Sequence, residues 1–518
     1  MNEHKEDLES ATYKVLHQPK EFICLLAYLP ALLVLFIYAG FCSPVDPDLG
    51  YHLTVGEQVL SRFAVPTIDS FRFDSQDPEL AYSWLPAVYL YFAHSFGGAW
   101  GLKVWLLIHV SFLAILLSYT VYDRIRPFNA AVLLLLASIA LLQVVTPRPR
   151  LLALIVFGLF LGYVKIRDIN HERSQQRFGD RQTIAAVFLL SLVWANTHIS
   201  CVLAPLILLL DSVIALSINP RRSSLGYECL RLLACILGLL FNPYGARIFQ
   251  AATLYTPESQ SMVAPYVLEL RGFFDVLQPY PLWFWATLAF VVVAILQLVI
   301  TLRIAFERRS LLQHLLVGFG LVIFTGYLTL QSSRNLSFFI LSTIWMLATI
   351  KVPQPKWARS ASWLGIALAG VAFVVGIQAS QARGRYDQVE GYFAKAPISE
   401  GLEVVRPLIS QGKVGTKVWR IFTAPDKGHF VNWWLTHYRL QKRAKVFVDG
   451  RTDALGVKRF FTAEEALWGP CFEKTLDDIQ ADIAIVNLKH PLFEQLLQNK
   501  NWVPLGGATE VTFVRAQL

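Results

Sequence analysis

Phe22–Phe41 is a run of 20 residues without one ionisable acid or base. At a rise of about 1.5 Å per residue, a helix of that length crosses a hydrocarbon core of about 30 Å. The run is too long for the apolar region of a signal peptide, and no small-residue cleavage site follows, so it reads as a retained helix. Comparable apolar runs recur along the chain, separated by short basic clusters. Only 16% of the residues are charged, against about 25% in a soluble domain.

The apolar pattern predicts about eleven spans, at 22–41, 101–122, 128–145, 151–165, 184–197, 199–217, 228–242, 282–302, 311–330, 336–350 and 361–380. Orientation follows from the basic residues. Arg124 and Arg126 leave the second span; Lys165, Arg167, Arg173, Arg177 and Arg181 leave the fourth; Arg221 and Arg222 leave the sixth. Arg303, Arg308 and Arg309 leave the eighth, and Lys351, Lys356 and Arg359 the tenth. Every even-numbered exit is basic, which places these exits and the N-terminus in the cytoplasm. The loops 42–100 and 243–281 and the tail 381–518 then lie outside. The formal charge of +9 is spent on this alternation, and nothing in it points to nucleic acid.

The expected fold class is an α-helical polytopic membrane domain over 1–380 with a small soluble α/β domain over 381–518. Lys445–Val448, Ala481–Val486 and Val511–Val514 read as short buried strands, with a helix around Ala463–Trp468. In the first loop, Thr54–Phe63 is amphipathic, with Val55, Val59, Leu60 and Phe63 on one face and Pro66 as its stop. Trp84–Phe96 is short and proline-interrupted and reads as an interfacial segment. Of the six cysteines, Cys24, Cys201, Cys229 and Cys235 read as apolar fillers. Cys42 and Cys471 both face outside, where a disulfide is chemically allowed.

The sharpest motif is Asp46-Pro-Asp48-Leu-Gly-Tyr-His52, just outside the first span. Proline keeps Asp46 out of the helical region. The two carboxylates are candidates to hold a divalent cation such as Mg or Mn, or to supply a general base; the plain alternative is a polar turn leaving the membrane. On the same face lie Arg148 and Arg150 around Pro149, Asn196 and His198, Tyr244 in Asn242-Pro-Tyr244, and Arg334 with Asn335. Each alone fits a capping or interface role. External arginines run against the positive-inside bias, and a phosphate-bearing ligand is one reason for them; a structural salt bridge to Asp46 or Asp48 is another. In the tail, Asp449-Gly-Arg451-Thr-Asp453 follows a strand, either as a site or as a turn with a local ion pair. His429, Trp433 and Trp434 offer either a sugar-stacking surface or buried packing. No nucleotide-binding loop, serine-hydrolase elbow or zinc-protease motif is present, so ATP-driven transport, serine hydrolysis and zinc proteolysis have no support.

The order of these features, with "VPTIDSFRF", "TPRPRLLAL", "WANTHIS", "NPYG", "SSRN" and "KVFVDGRTDALG", resembles the bacterial GT-C-fold glycosyltransferase-like membrane proteins. The chain departs from that pattern at Asp426-Lys-Gly-His429, where relatives carry an aromatic-Gly-Gly-Tyr segment, and at "NTHIS", where they carry "NLHGG". The resemblance implies a transferase that takes a sugar from a polyprenyl-phosphate donor at the outer face of a bacterial inner membrane. The acceptor would be an envelope glycan, lipid or protein. It assigns Asp46 and Asp48 to metal or base chemistry, and Arg148, Arg150 and Arg334 to the donor phosphate. The alternative is a protein that binds or moves a lipid-linked glycan intermediate without transferring it. Asp211 and His314, the few ionisable residues within predicted spans, lie toward cytoplasmic ends, which weighs against transport.

Overall fold

The computed structural model describes residues 28–29, 31–42, 46–73, 80–122, 125, 127–173, 179–218, 224–249, 262–265, 267, 270–276, 281–305, 309–348, 397–411, 418–450, 457–469 and 472–516. The expected eleventh span at 361–380, the boundary at 380, Arg451 and Cys471 fall outside them, and with Cys471 any pairing to Cys42. Cys201, Cys229 and Cys235 carry free thiols, and Cys201 and Cys235 are buried.

The first part is helical. After the apolar helix Ala31–Phe41 come α1 (Leu49–Arg62), α2 (Trp84–Val121), α3 (Pro127–Leu141), α4 (Pro149–Arg173) and α5 (Gly179–Ala195). There follow α6 (Leu203–Ile218), α7 (Leu225–Leu240), α8 (Pro281–Ala305), α9 (Arg309–Gln331) and α10 (Leu336–Leu347). One apolar core joins them, and within it the Trp194 ring contacts both Phe157 and Phe160. Some hydroxyls inside helices are satisfied locally: Thr325 donates to the Leu321 carbonyl and Thr343 to that of Phe339. Among the described residues two helices, Trp84–Val121 and Ile199–Ile218, are long and apolar enough to cross a membrane. On α2 the outward residues Val104, Ile108, Phe112, Ile115 and Tyr119 are exposed at three- and four-residue spacing.

One expectation for the first loop is kept and one is corrected. The segment from Trp84 stands apart from the next span: a non-helical break at Gly98, where φ is +55° and ψ is −135°, divides Trp84–Val121 into two helical stretches. That backbone suits glycine. The turn also brings the Ala93 carbonyl so close to Gly101 that an added Cβ would lie 1.7 Å from its oxygen. Secondly, Phe63 does not share the buried face of Val55 and Val59: it takes a left-handed conformation (φ 51°) as the C-cap of α1 and is 94% exposed. The helix therefore ends before Pro66.

The second part is α/β. It contains α11 (Pro397–Gln411), β1 (Trp419–Thr423), α12 (Pro425–His437), β2 (Ala444–Val446), α13 (Val457–Trp468) and α14 (Phe472–Asp478), then β3 (Ile483–Asn487), α15 (Pro491–Gln498), β4 (Trp502–Gly506) and β5 (Glu510–Arg515). The sheet order is β2-β1-β3-β5-β4, with β1 parallel to β2 and β3, and β5 antiparallel to β3 and β4. The sequence reading found three of these strands and missed β1, which is central, and β4. One face of the sheet packs on α11 and α12, the other on α13, α14 and α15.

The two parts are joined. Arg72, from the loop after α1, bridges to Val446 alongside β2, and the Phe73 amide donates to the Val446 carbonyl at 2.9 Å. Arg459 ties both sides by donating to the carbonyls of Phe73 and Phe447. The second loop contributes Val263 and Leu270, which pack on Val457 and Phe460 of α13.

Candidate active site

The motif Asp46-Pro-Asp48 ends where α1 begins. Asp48 is the N-cap residue of α1, yet its side chain makes no cap hydrogen bond. Asp46 turns back instead, its carboxylate accepting from the Asp48 amide at 2.8 Å. This fixes the short turn and leaves the Asp48 carboxylate aimed away from its own helix.

Arg148, just before α4, spans both acids. Its Nε contacts Asp46 Oδ2, and a terminal nitrogen donates to Asp48 Oδ2 at 2.7 Å. Asp46 is 3% exposed, while the Asp48 side chain keeps 34% of its surface. Burial pushes the Asp48 pKa up, but Arg148 and a hydrogen bond from His429 outweigh it and hold the carboxyl below the ordinary carboxylate range. The plain alternative for Arg148, a salt bridge to these acids, is thus present in the geometry.

The other side of Asp48 belongs to the tail. His429 on α12 brings Nε2 to 3.4 Å from Asp48 Oδ1, and its Nδ1 lies 4.0 Å from Oδ2 of Asp449, at the end of β2. Asp449 is fully buried and accepts from Asn432 Nδ2 at 3.4 Å. His429 is 1% exposed, so it presents no stacking surface for a sugar. His52, in the first turn of α1, completes the group. Burial lowers its pKa to about 3, with Arg148 and His429 adding to the effect and Asp48 opposing it, so the ring is neutral near pH 7. Its buried Nδ1 has no hydrogen-bond partner.

A cationic flank adjoins this group. His198 is held neutral, its pKa lowered to about 3 by burial and then by Arg150, Arg334 and Arg148. Its Nδ1 accepts from the Ser200 amide, which leaves the ring proton on Nε2. Arg150 sits in the first turn of α4, which carries no acidic residue there, so the positive helix end and the arginines act in the same sense. Arg334 occupies a short 3₁₀ turn after α9.

Other candidates make contacts within the scaffold. Asn196 donates to the carbonyls of Leu192 and Phe241 and accepts from Trp84 Nε1, stitching α5, α7 and α2 together. Tyr244 donates to the Pro66 carbonyl and accepts from the Ala81 amide, joining the two long loops. Asn335 donates to the Leu328 and Ser332 carbonyls at the end of α9. Trp434 is buried and donates to Glu403, and Trp433 packs on His437 and His94. Asp211 lies in a buried ion cluster with Glu228 and Arg231.

The sequence reading did not assign His429 to the Asp46–Asp48 group. The signal available for it was the departure at Asp426-Lys-Gly-His429, where the chain places an imidazole. A divalent cation would need several oxygen donors at once. Here Arg148 engages both carboxylates, and among the described residues no group of three or more His, Cys, Asp or Glu side chains is set to hold a metal. The donor set as arranged fits a guanidinium, not a dication.

No protein-family model matches the sequence, and no curated protein does. Solved structures share its fold. The apo oligosaccharyltransferase of Archaeoglobus fulgidus aligns with a TM-score of 0.59 at 11% identity, over 90% of this chain and 70% of that one. The same archaeal enzyme, AglB, in complex with an inhibitory peptide and a dolichol-phosphate, aligns at 0.58, with 11% identity and the same coverage. ArnT from Cupriavidus metallidurans bound to undecaprenyl phosphate aligns at 0.51 and 13% identity, over 94% of this chain and 97% of that one. These neighbours are GT-C-fold glycosyltransferases, and this chain has the GT-C fold with a small C-terminal α/β sheet.

Proposed function

We propose that this chain is a membrane glycosyltransferase that moves a sugar from a polyprenyl-phosphate donor to an envelope glycan, lipid or protein acceptor at the outer face of a bacterial inner membrane. One observation carries the reading. A partly exposed carboxylate, Asp48, and an arginine-rich helix end, Arg148 with Arg150, share one site on a GT-C fold. The neighbours bound to dolichol-phosphate and undecaprenyl phosphate supply the donor class. The exposed apolar stripe on α2 and the alternation of basic clusters support the membrane location and its orientation.

The acceptor hydroxyl gives its proton to Asp48 while its oxygen attacks the anomeric carbon. The bond from that carbon to the phosphate oxygen breaks, and the electron pair leaves with the polyprenyl phosphate, inverting the centre. Arg148, Arg150 and Arg334 stabilise the charge that develops on the leaving phosphate. Arg148 has two partners to choose between. Paired with Asp48 it keeps that carboxylate weakly basic; drawn toward an incoming phosphate it releases a stronger base. A Mg or Mn ion would have to displace Arg148 to reach both acids, and no step here depends on one.

The test compares lipid-linked and envelope glycans in a strain lacking the gene and in one carrying Asp48→Ala. Both should lose the same product. Glycans unchanged in the Asp48→Ala strain, with the protein present in the membrane, would overturn the catalytic assignment. Accumulation of a lipid-linked intermediate at the inner leaflet in the deletion strain alone would favour the binding or moving role.

A further inference from the structure

We propose that His429 of the C-terminal domain is the residue that positions the Asp48 carboxylate, so that this domain is a working part of the site and not only a cover over it. The inference rests on the transferase reading above and adds a residue that neither its motif nor the donor arginines include.

Asp48 has two carboxylate oxygens with different partners. Oδ2 is held by Arg148, from the helical part. Oδ1 faces His429 Nε2 at 3.4 Å, from the α/β part. Removing either partner leaves the carboxylate held through one oxygen only, so its orientation is less closely fixed. Three glycines bring the histidine to this place. A Cβ on Gly50 of α1 would lie 2.3 Å from the His429 carbonyl oxygen, and one on Gly428 would lie 2.1 Å from the Val448 carbonyl oxygen. A Cβ on Gly450 would lie 2.9 Å from His429 ring atoms and 3.4 Å from Asp48 Oδ1. The backbones of α1, α12 and the end of β2 therefore close on one imidazole. Tyr51 packs against it from α1, with ring centroids 5.3 Å apart, and fixes its plane. Buried packing alone would be met by any flat apolar ring here. What an imidazole adds is an N–H directed at the one acid of the motif that keeps solvent access.

The experiment uses the full chain with its lipid-linked donor and compares His429→Ala, His429→Gln and Gly450→Ala. A misplaced reacting group costs about 10²-fold. His429→Ala should therefore lower kcat by about 10²-fold with donor KM within about twofold. His429→Gln, which keeps an N–H at a similar reach, should recover most of that loss, and Gly450→Ala should reproduce the deficit by pushing the ring aside. A His429→Ala chain that keeps wild-type kcat, or a Gln variant no better than Ala, overturns the proposal. A thermal-unfolding cycle of His429→Ala with Asp48→Ala needs no activity. Coupled melting shifts support the contact, and shifts that simply add overturn it. If the wild-type chain transfers no sugar, the function reading falls on its own, and the cycle still decides the role of His429.

Discussion

Among the described residues, two clusters have one arginine serving two carboxylates, and they are built for opposite ends. Arg231 on α7 pairs with Asp211 of α6 at 2.9 Å and with Glu228 at 2.5 Å, all three at most 2% exposed, and Ser212 donates to Glu228 at 2.7 Å. Arg148 pairs with Asp46 and Asp48, but Asp48 keeps 34% of its side-chain surface and Arg148 19%. Identical charges thus give a sealed helix clamp in one place and an open site in the other. The decisive variable is access. A sealed carboxylate can only stabilise what is already folded, whereas an open one can meet a substrate.

The comparison breaks most readily at the sealed cluster. Removing one partner of a buried ion cluster costs about 3–5 kcal/mol, because the remaining charges have no solvent. Arg231→Ala should therefore deplete the folded protein from membranes, as read by quantitative immunoblot and thermal unfolding. A stable, active Arg231→Ala chain would show that the two clusters differ less than their burial suggests. At the open cluster the loss should fall on chemistry. Asp48→Asn should lower transfer by about 10²–10⁴-fold, the usual scale for general-base removal, while the chain stays folded. Arg148→Lys keeps the charge but not the two-pronged geometry, and a weaker donor KM with a folded chain is the outcome to look for in a donor titration.

The clusters also differ in their response to pH. His52 and His198 titrate near pH 3 in the folded chain, against about 6.5 when unfolded. Between these values the unfolded chain binds more protons, so stability is full above about pH 6.5 and falls as the pH drops toward 3. The slope is about 1.4 kcal/mol per pH unit for each histidine. Asp48, whose pKa is also lowered, adds a loss only below the ordinary carboxylate range. Melting curves from pH 7 to pH 4 should flatten in His198→Gln; an unchanged slope would mean that this ring is not held neutral.

Much of the helical part was legible because apolar runs are local. The run read at 311–330 forms α9, Arg309–Gln331, and the run at 282–302 forms α8, Pro281–Ala305. The central strand β1 was not read: Trp419–Thr423 includes a half-buried Arg420, and what buries its neighbours is β3 on one side and β2 on the other. The boundary between the stretch read at Trp84–Phe96 and the span read at 101–122 was legible too, and the structure puts the break at Gly98.

By itself the sequence determined where apolar length and basic charge alternate, and which short polar motifs interrupt them, because these depend on neighbours in the chain. Only the tertiary structure decided which motifs meet. Asp48 and His429 are 381 positions apart by their numbers and come within 3.4 Å because Phe73 seats the first loop along β2 and three glycines let the backbones close. Contacts of that separation follow from the packing of whole elements, and no local pattern of residues encodes them.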